Sequence, residues 1–311
     1  MNTGRVVTIA ALIQLLASVI WAQPKPCVST AVGDLRVESF ESAVYGDRRT
    51  VRILLPAGYD DTANAARTYP VLYMFDGQTL FDACTAFSGE GELQIDETVM
   101  RLIGEGAMGP LIVIGIDSST RRSYEYRPYK DTVADPTAPD PIGEKLPRFI
   151  GTDVLPYVRT RYRVTRSPAE TGIGGTSLGA IAALYVLLQR GDLFGIGLLQ
   201  SPTLPLGNGQ LLRDTELLAR GPDRIYIGVG TAELPSGIVG DRFAAELRIS
   251  SLVANAGFAR MAETLAANLK GAYLNHPEVT LVVEPNANHS SASWARRFPN
   301  AIKALYGPLP H

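Results

Sequence analysis

Short, nearly continuous apolar runs recur along the chain and constrain its fold more than any other feature. Three lie in the first half, at 51–55 (VRILL), 71–75 (VLYMF) and 111–116 (LIVIGI), between segments that contain glycine, proline or aspartate. Runs of this length and composition are typical of strands that are buried on both faces of a sheet. The sequence therefore predicts a central sheet that is covered on both sides.

Helix-length segments separate these runs from one another and from the later ones. We predict further strands at 171–174, 195–200, 224–230 and 279–284, and helices at 96–104, 145–162, 178–190, 243–270 and 292–306. This alternation indicates an α/β fold with a mostly parallel central sheet and helices on both faces. Because no repeat or Ser/Gly linker divides the chain, we expect one domain over 23–311. Segment 135–147 has four prolines and is predicted to be irregular, either a plain surface loop or part of a lid.

Composition and the amino terminus limit the classes of function. Lysine and arginine total 29 against 31 aspartates and glutamates, a net charge of -2, so a nucleic-acid partner is not expected. Residues 1–22 are predicted to be a signal peptide, with Arg5 before an apolar run at 6–21 and the small residue Ala22 at the cut. The alternative is a retained membrane anchor, for which the run is short. We expect a soluble body that is exported to the periplasm or secreted.

The two cysteines, Cys27 and Cys84, either pair in an oxidising compartment or are unrelated thiols. Neither has the C-x-x-C spacing of a metal ligand, and the chain has only three histidines. The sequence therefore predicts no metal and no other cofactor.

Residues 175–179 (Gly-Thr-Ser-Leu-Gly) fit G-x-S-x-G between a predicted strand and a predicted helix. A serine on so tight a turn is strained, and the flanking glycines avoid collisions with the strand and helix. This context favours Ser177 as a nucleophile over an idle serine in a Gly-rich turn. Backbone N–H groups of Leu178 and of Gln78, in the loop after the strand at 71–75, are predicted to stabilise an oxyanion.

A serine nucleophile needs a base and an orienting acid later in the chain. His276 precedes the strand at 279–284 and His311 is terminal, whereas His289 follows that strand and is the predicted base. Glu233, just after the strand at 224–230, is the predicted acid. Asp241 is the alternative acid, although its position suits a capping residue of the next helix.

Five blocks of the sequence carry a resemblance to a family: YPVLYMFDGQTLFDACTAFSGEGELQIDETVMRLI, PLIVIGIDSSTRRSYEYRPYKD, GGTSLGAIAAL, VGTAE and NHSSASWARRFP. In this order they resemble the enterochelin-esterase-like esterases of the α/β-hydrolase superfamily. The resemblance covers nearly all of the chain after residue 22. It implies an α/β-hydrolase fold, a metal-free serine esterase for a small-molecule ester, and Ser177, Glu233 and His289 as the triad. In relatives the histidine often follows a glycine, whereas here it follows Asn288.

Candidate substrate-binding residues flank the predicted site. Asp76 follows the strand at 71–75, and Arg122, Tyr124 and Tyr126 lie in the loop after the strand at 111–116. Arg122, Tyr124 and Tyr126 could bind an aromatic or acidic acyl group, and Asp76 is a further possible substrate-binding residue. The alternative is structural: Glu125 pairs with an arginine and the tyrosines pack under the loop. Trp294 is predicted to be a core residue.

The sequence thus predicts an exported serine esterase that works through an acyl-enzyme. Two alternatives stay open: an acyltransferase on the same scaffold, and a binding protein of this fold without catalytic activity.

Overall fold

Eight strands form one mixed sheet in the computed structural model, which describes residues 27–87, 91–132, 140–234, 251–272 and 274–308. The strands are β1 Asp34–Glu41, β2 Arg48–Leu55, β3 Val71–Phe75, β4 Ile112–Ile116, β5 Thr171–Thr176, β6 Ile196–Gln200, β7 Arg224–Ala232 and β8 Glu278–Asn288. Their order is β1-β2-β4-β3-β5-β6-β7-β8. The pairs β1/β2 and β2/β4 are antiparallel and the rest are parallel, which confirms the mostly parallel sheet.

Helices cover both faces of this sheet. They are α1 Ile95–Gly104, α2 Arg122–Glu125, α3 Leu146–Arg148, α4 Leu155–Arg161, α5 Leu178–Gln189, α6 Gln210–Arg213, α7 Ser251–Lys270 and α8 Ser291–Tyr306, with a π-helical segment at Phe149–Val154. Single-turn 3₁₀ helices lie at Thr62–Asn64, Gly77–Thr79, Gly143–Lys145, Pro168–Glu170 and Gly207–Gly209. In the described parts of the chain, no helix is long and apolar enough to cross a membrane.

The core is divided by the sheet into two clusters. Along β3, Leu72 and Met74 belong to the cluster under α1 and α8, whereas Tyr73 and Phe75 belong to the cluster under α4, α5 and α7. Successive side chains of a strand point to opposite faces, so one apolar run supplies both clusters. This is why a strand such as VLYMF has no polar residue.

All seven predicted strands are present, but β1 was not predicted. It lies at one edge of the sheet and pairs only with β2 among the described strands. Its sequence, DLRVESFE, mixes polar and apolar residues, and none of them is fully buried. A search for continuous apolar runs does not find such a strand.

The predicted helix at 145–162 is present as α3, the π-helical segment and α4 in direct succession. The prediction that 135–147 is irregular is wrong at its end, since Gly143–Lys145 and the start of α3 lie within it. Pro147 is tolerated because it occupies the first turn of α3, where a backbone N–H has no helical partner. Residues 133–139, the leader at 1–22, Asp241 and His311 lie outside the described residues.

The first described residues are fastened to the segment that precedes α1. Cys27 forms a disulfide with Cys84, 57 positions later. Ser29 Oγ donates to Asp82 Oδ2 at 2.7 Å, and the backbone N–H of Val32 donates to Asp96 Oδ2 at 2.7 Å. These contacts hold the segment before β1 against the loop that follows the 3₁₀ turn Gly77–Thr79.

Asp96, in the first turn of α1, is fully buried and ends in an oxygen, Oδ1, that has no hydrogen-bond partner among the described residues. Burial, followed by the neighbouring carboxyl of Glu97, raises the pKa of Asp96 to about 7. A carboxyl whose pKa is raised by folding stabilises the fold while it is protonated. That contribution is complete below the unfolded pKa near 3.8 and is lost as the pH rises through about 7.

We therefore expect Asp96→Asn to change the pH dependence of stability. The amide stays neutral and keeps an oxygen for the N–H of Val32, so the variant should gain stability relative to wild type as the pH rises from 5 to 8. Urea unfolding of both proteins at several pH values measures this difference. A difference that does not vary with pH would contradict the expectation.

The disulfide between Cys27 and Cys84 leads to a second prediction about stability. Replacing both cysteines by serine releases a loop of 57 positions, and loop-closure entropy then lowers the free energy of unfolding by about 4 kcal/mol. Urea unfolding of the double variant against oxidised wild type tests this. Reduced wild type is the matched control and should show a similar loss.

Candidate active site

Ser177 lies at the turn between β5, which ends at Thr176, and α5, which begins at Leu178. Its backbone has φ 56° and ψ -121°, a conformation that is strained for a residue with a side chain. A Cβ atom at Gly175 would lie 2.4 Å from the carbonyl carbon of Gly179, and one at Gly179 would lie 3.0 Å from Asp76 Oδ2. The predicted reason is confirmed at Gly175, where a side chain would collide with the backbone of α5, whereas a Cβ atom at Gly179 would press against Asp76 rather than against β5 or α5.

His289 links Ser177 to Glu233. Its Nε2 lies 2.7 Å from Ser177 Oγ, and its Nδ1 lies 2.7 Å from Glu233 Oε2. The three residues follow the carboxyl ends of β5, β7 and β8, and these parallel strands end at the same edge of the sheet. His276 precedes β8 and so lies toward the opposite edge.

Glu233 has a fully buried side chain, whereas the side chain of His289 is 24% exposed. Glu233 Oε1 accepts hydrogen bonds from the backbone N–H of Gly230 at 2.5 Å and from Ser201 Oγ at 2.8 Å. Burial raises the pKa of Glu233, but the contact with His289 and these two donors outweigh burial and leave the pKa below its usual value. The carboxyl is therefore ionised at neutral pH.

The loop that carries His289 is held by side chains on both sides of it. Asn288 Oδ1 accepts hydrogen bonds from Ser290 Oγ at 2.6 Å and Ser293 Oγ at 3.0 Å. The ring of Trp294 meets the His289 ring edge to face at 5.0 Å. The residue of this loop with positive φ is Asn286, so the position before the histidine does not require glycine.

The two predicted oxyanion donors lie at the starts of helical turns. Leu178 is the first residue of α5, where a backbone N–H has no partner within the helix. Gln78 lies in the turn Gly77–Thr79, and its side chain forms two hydrogen bonds with Ser118, at 2.6 Å and 3.0 Å. Those bonds fix the Gln78 backbone beside β4.

A cavity of about 120 Å³ opens above Ser177. Asp76 and Arg122 lie in its wall and form a two-point ion pair, with both contacts at 2.6 Å. The guanidinium of Arg122 also stacks 5.5 Å from the ring of Phe87. The lining residues are Asp76, Thr79, Phe87, Arg122, Thr176, Ser177, His289, Ser291 and Trp294.

The other candidate binding residues are placed beneath or beside this wall. Tyr126 is 3% exposed, and its hydroxyl oxygen accepts the backbone N–H of Asp76 at 3.3 Å. Tyr124 stacks 6.0 Å from the guanidinium of Arg127. Glu125 is buried and forms a two-point ion pair with Arg49. Contact of Asp76, Arg122, Tyr124 or Tyr126 with a substrate stays a prediction.

Sequence reasoning missed the buried polar groups behind Glu233. Ser201 and Arg297 were not considered, and Trp294 was predicted to be core although it both packs in the core and lines the cavity. A signal was available, because Trp294 and Arg297 are three residues apart on one helix face directly after the histidine. No cluster of side chains in the described parts of the chain has the geometry of a metal site.

The sequence that forms this sheet and site matches the profile of a protein family. The profile described as "Putative esterase" matches residues 42–305, most of the chain. The chain belongs to that family. It is a carboxylic-ester hydrolase with the α/β-hydrolase type of fold, as the resemblance of the five sequence blocks implied.

Individual relatives of this esterase are distant. The Bacillus subtilis protein YbbA is 23% identical over 265 residues, which cover 84% of the chain and 94% of YbbA. Ferri-bacillibactin esterase BesA of Bacillus subtilis is 26% identical over 163 residues, or 48% of the chain and 52% of BesA. Siderophore hydrolase EstB from Aspergillus nidulans superposes with a TM-score of 0.66 at 18% identity, over 92% of the chain and 99% of EstB. The superposition shows a shared fold.

Proposed function

We propose that this esterase is an exported serine hydrolase that cleaves a carboxylic ester through an acyl-enzyme on Ser177, His289 and Glu233. One observation carries the proposal: two 2.7 Å contacts join the hydroxyl, the imidazole and the carboxylate in an unbroken chain. The hydroxyl has a base within hydrogen-bond reach, and the base has a buried acid on its other nitrogen. This is the arrangement that activates a serine nucleophile.

In the first half of the reaction, Ser177 Oγ attacks the ester carbonyl carbon while His289 Nε2 takes the hydroxyl proton. The carbonyl oxygen becomes an oxyanion, and the N–H groups of Leu178 and Gln78 donate to it. When the intermediate collapses, the bond to the alcohol oxygen breaks and His289 returns the proton to that oxygen. The acyl group is then bound to Ser177 as an ester.

In the second half, water replaces the alcohol. His289 removes a proton from the water, whose oxygen attacks the acyl carbon and forms a second oxyanion in the same place. Collapse releases the carboxylic acid, and the proton returns to Ser177 Oγ. Glu233 stays ionised throughout and stabilises the imidazolium that forms twice in each cycle.

The lowered pKa of Glu233 supports this role, since the carboxylate must be charged to hold the Nδ1 proton of His289. The turn between β5 and α5 supports this role of the site as well. The strained turn at Ser177 lifts the hydroxyl above the sheet, and the start of α5 behind it favours the negative charge of the intermediate.

Export is the second part of the proposal. It rests on the predicted signal peptide at 1–22 and on the disulfide between Cys27 and Cys84, which is a bond typical of oxidising compartments. Mass spectrometry of the protein after expression with its own leader tests this part. We expect a mature chain that starts near Gln23 and is recovered outside the cytoplasm, and a full-length chain in the cytoplasm would contradict it.

Hydrolysis is tested with purified protein and a panel of esters. The panel pairs p-nitrophenyl esters of rising chain length with a feruloyl sugar and with ferric bacillibactin, because the relative BesA is named for that siderophore. Product analysis with and without an added alcohol separates hydrolysis from acyl transfer. Release of free acid in the presence of the alcohol supports the proposal, and transfer of most acyl groups to the alcohol contradicts it.

Ser177→Ala should lower turnover by several orders of magnitude, because the covalent route is lost while the fold keeps its buried contacts. The variant should also resist labelling by a fluorophosphonate. Ser39→Ala is a matched control, since Ser39 lies in β1 at the far edge of the sheet and its hydroxyl hydrogen-bonds to that of Thr50. Normal turnover in Ser177→Ala would remove Ser177 from the mechanism.

Glu233→Gln should keep the fold and lower kcat about a thousandfold, because the amide can hold His289 in the wrong tautomer. Asp241→Asn is the matched comparison and should leave kcat nearly unchanged, because the sequence position of Asp241 suits a helix cap, for which asparagine is comparable. Steady-state kinetics of both variants decide between the two acids. Loss of turnover in Asp241→Asn with normal Glu233→Gln would reverse the assignment.

A further inference from the structure

Ser201 lies behind the acid of the site, directly after β6. It is 1% exposed, and its φ of 46° is in the left-handed region that a serine seldom adopts. The backbone N–H of Ser201 donates to the carbonyl of Gly228 in β7 at 2.7 Å, which fixes the residue in place. The surrounding structure imposes this strained conformation on the buried serine. The contacts of its hydroxyl indicate what the residue does.

The hydroxyl of Ser201 meets three partners. Trp294 Nε1 lies 2.9 Å from Ser201 Oγ, Arg297 Nη2 lies 3.0 Å from it, and Glu233 Oε1 lies 2.8 Å from it. An indole N–H and a guanidinium can only donate hydrogen bonds. They therefore occupy the two acceptor sites of the hydroxyl, and its single proton is directed at Glu233.

Arg297 is itself fixed on every side. The residue is 4% exposed; its Nε donates to Gln200 Oε1 at 3.0 Å, and its Nη1 donates to Glu284 Oε2 at 3.1 Å. The remaining nitrogen, Nη2, is the one that donates to Ser201. Because each guanidinium nitrogen has its own acceptor, the three contacts together hold Nη2 on the Ser201 hydroxyl.

We propose that Ser201 is a positioning residue for the acid of the triad, oriented by Trp294 and Arg297 so that its proton is always directed at Glu233 Oε1. With Oε1 occupied by Ser201 and by the N–H of Gly230, the other carboxylate oxygen, Oε2, is left facing His289 Nδ1. This inference rests on the proposed function, because it assigns Ser201 a role through Glu233.

These hydrogen bonds also change how much of the Glu233 charge His289 experiences. A hydroxyl that accepts from a guanidinium is polarised, so it donates more strongly to the carboxylate. Part of the Glu233 charge is thereby shielded on the side away from His289. Without the hydroxyl, Glu233 Oε1 has one donor fewer, and the carboxylate presents more of its charge to His289 Nδ1.

Two variants test the proposal. Ser201→Ala and Ser201→Gly both remove the hydroxyl, but only glycine adopts a φ of 46° without strain. We expect kcat to fall about 10- to 100-fold in both, as for the loss of a hydrogen bond to a charged group, with KM changed less than about twofold. The acid limb of the kcat/KM profile should move to higher pH by roughly half a unit.

Ser42→Ala is the matched control. Ser42 is also a buried serine that donates to a carboxylate, Asp153 Oδ2, at 2.6 Å and accepts a backbone N–H, that of Tyr45. It follows β1 at the far edge of the sheet from β8. The control should lose stability in urea unfolding while its kcat and pH profile match those of wild type.

The outcomes separate this inference from the proposed function. Wild type without esterase activity, or Ser177→Ala with full activity, contradicts the proposed function itself. Active wild type together with normal kcat and an unshifted acid limb in both Ser201 variants overturns the inference alone. Activity that follows thermal stability, so that Ser201→Gly is normal and only Ser201→Ala is impaired, also overturns it, because a structural role would then suffice.

Discussion

The whole site depends on how closely β5 approaches α5 at the turn of Ser177. No side chain fits at Gly175, where the strand and the helix meet backbone to backbone, and the residue between them takes a strained conformation. That conformation sets the direction of the Ser177 hydroxyl and the start of α5 together. His289 and Glu233 then need only short loops from β8 and β7 to complete the chain of contacts with Ser177.

Buried charges hold the loops around this turn in register. The pairs Asp76–Arg122, Glu125–Arg49 and Asp117–Arg52 each use two or more hydrogen bonds and join the loops after β3 and β4 to each other or to β2. Charge pairs away from water contribute little net stability, because desolvation offsets their attraction. Their geometry is specific, however, and breaking one partner leaves a costly buried charge. The loop after β3, which carries the proposed oxyanion donor Gln78, is therefore kept in one arrangement.

The sequence predicted the parts of this molecule that follow from local pattern. Continuous apolar runs indicated the buried strands, and the spacing 175–179 indicated the turn of Ser177, because both depend on neighbouring residues alone. The edge strand β1 and the network of Ser201, Trp294 and Arg297 depend on which distant segments meet in the fold. A buried serine with three polar partners looks the same in sequence as a surface serine, so its role was not predicted.

The disulfide holds the first described residue, Cys27, near the site, whereas the last helix ends far from it. Cys27 is bound to Cys84, next to Thr85, whose hydroxyl donates to the carbonyl of Gln78 at 2.7 Å, and Phe87 in the cavity wall follows shortly after. At the other end, α8 finishes with Tyr306, which hydrogen-bonds to Val71 at the start of β3. A fusion partner attached before Cys27 is therefore expected beside the cavity wall, whereas one attached after α8 is expected near the start of β3, at the opposite edge of the sheet from Ser177.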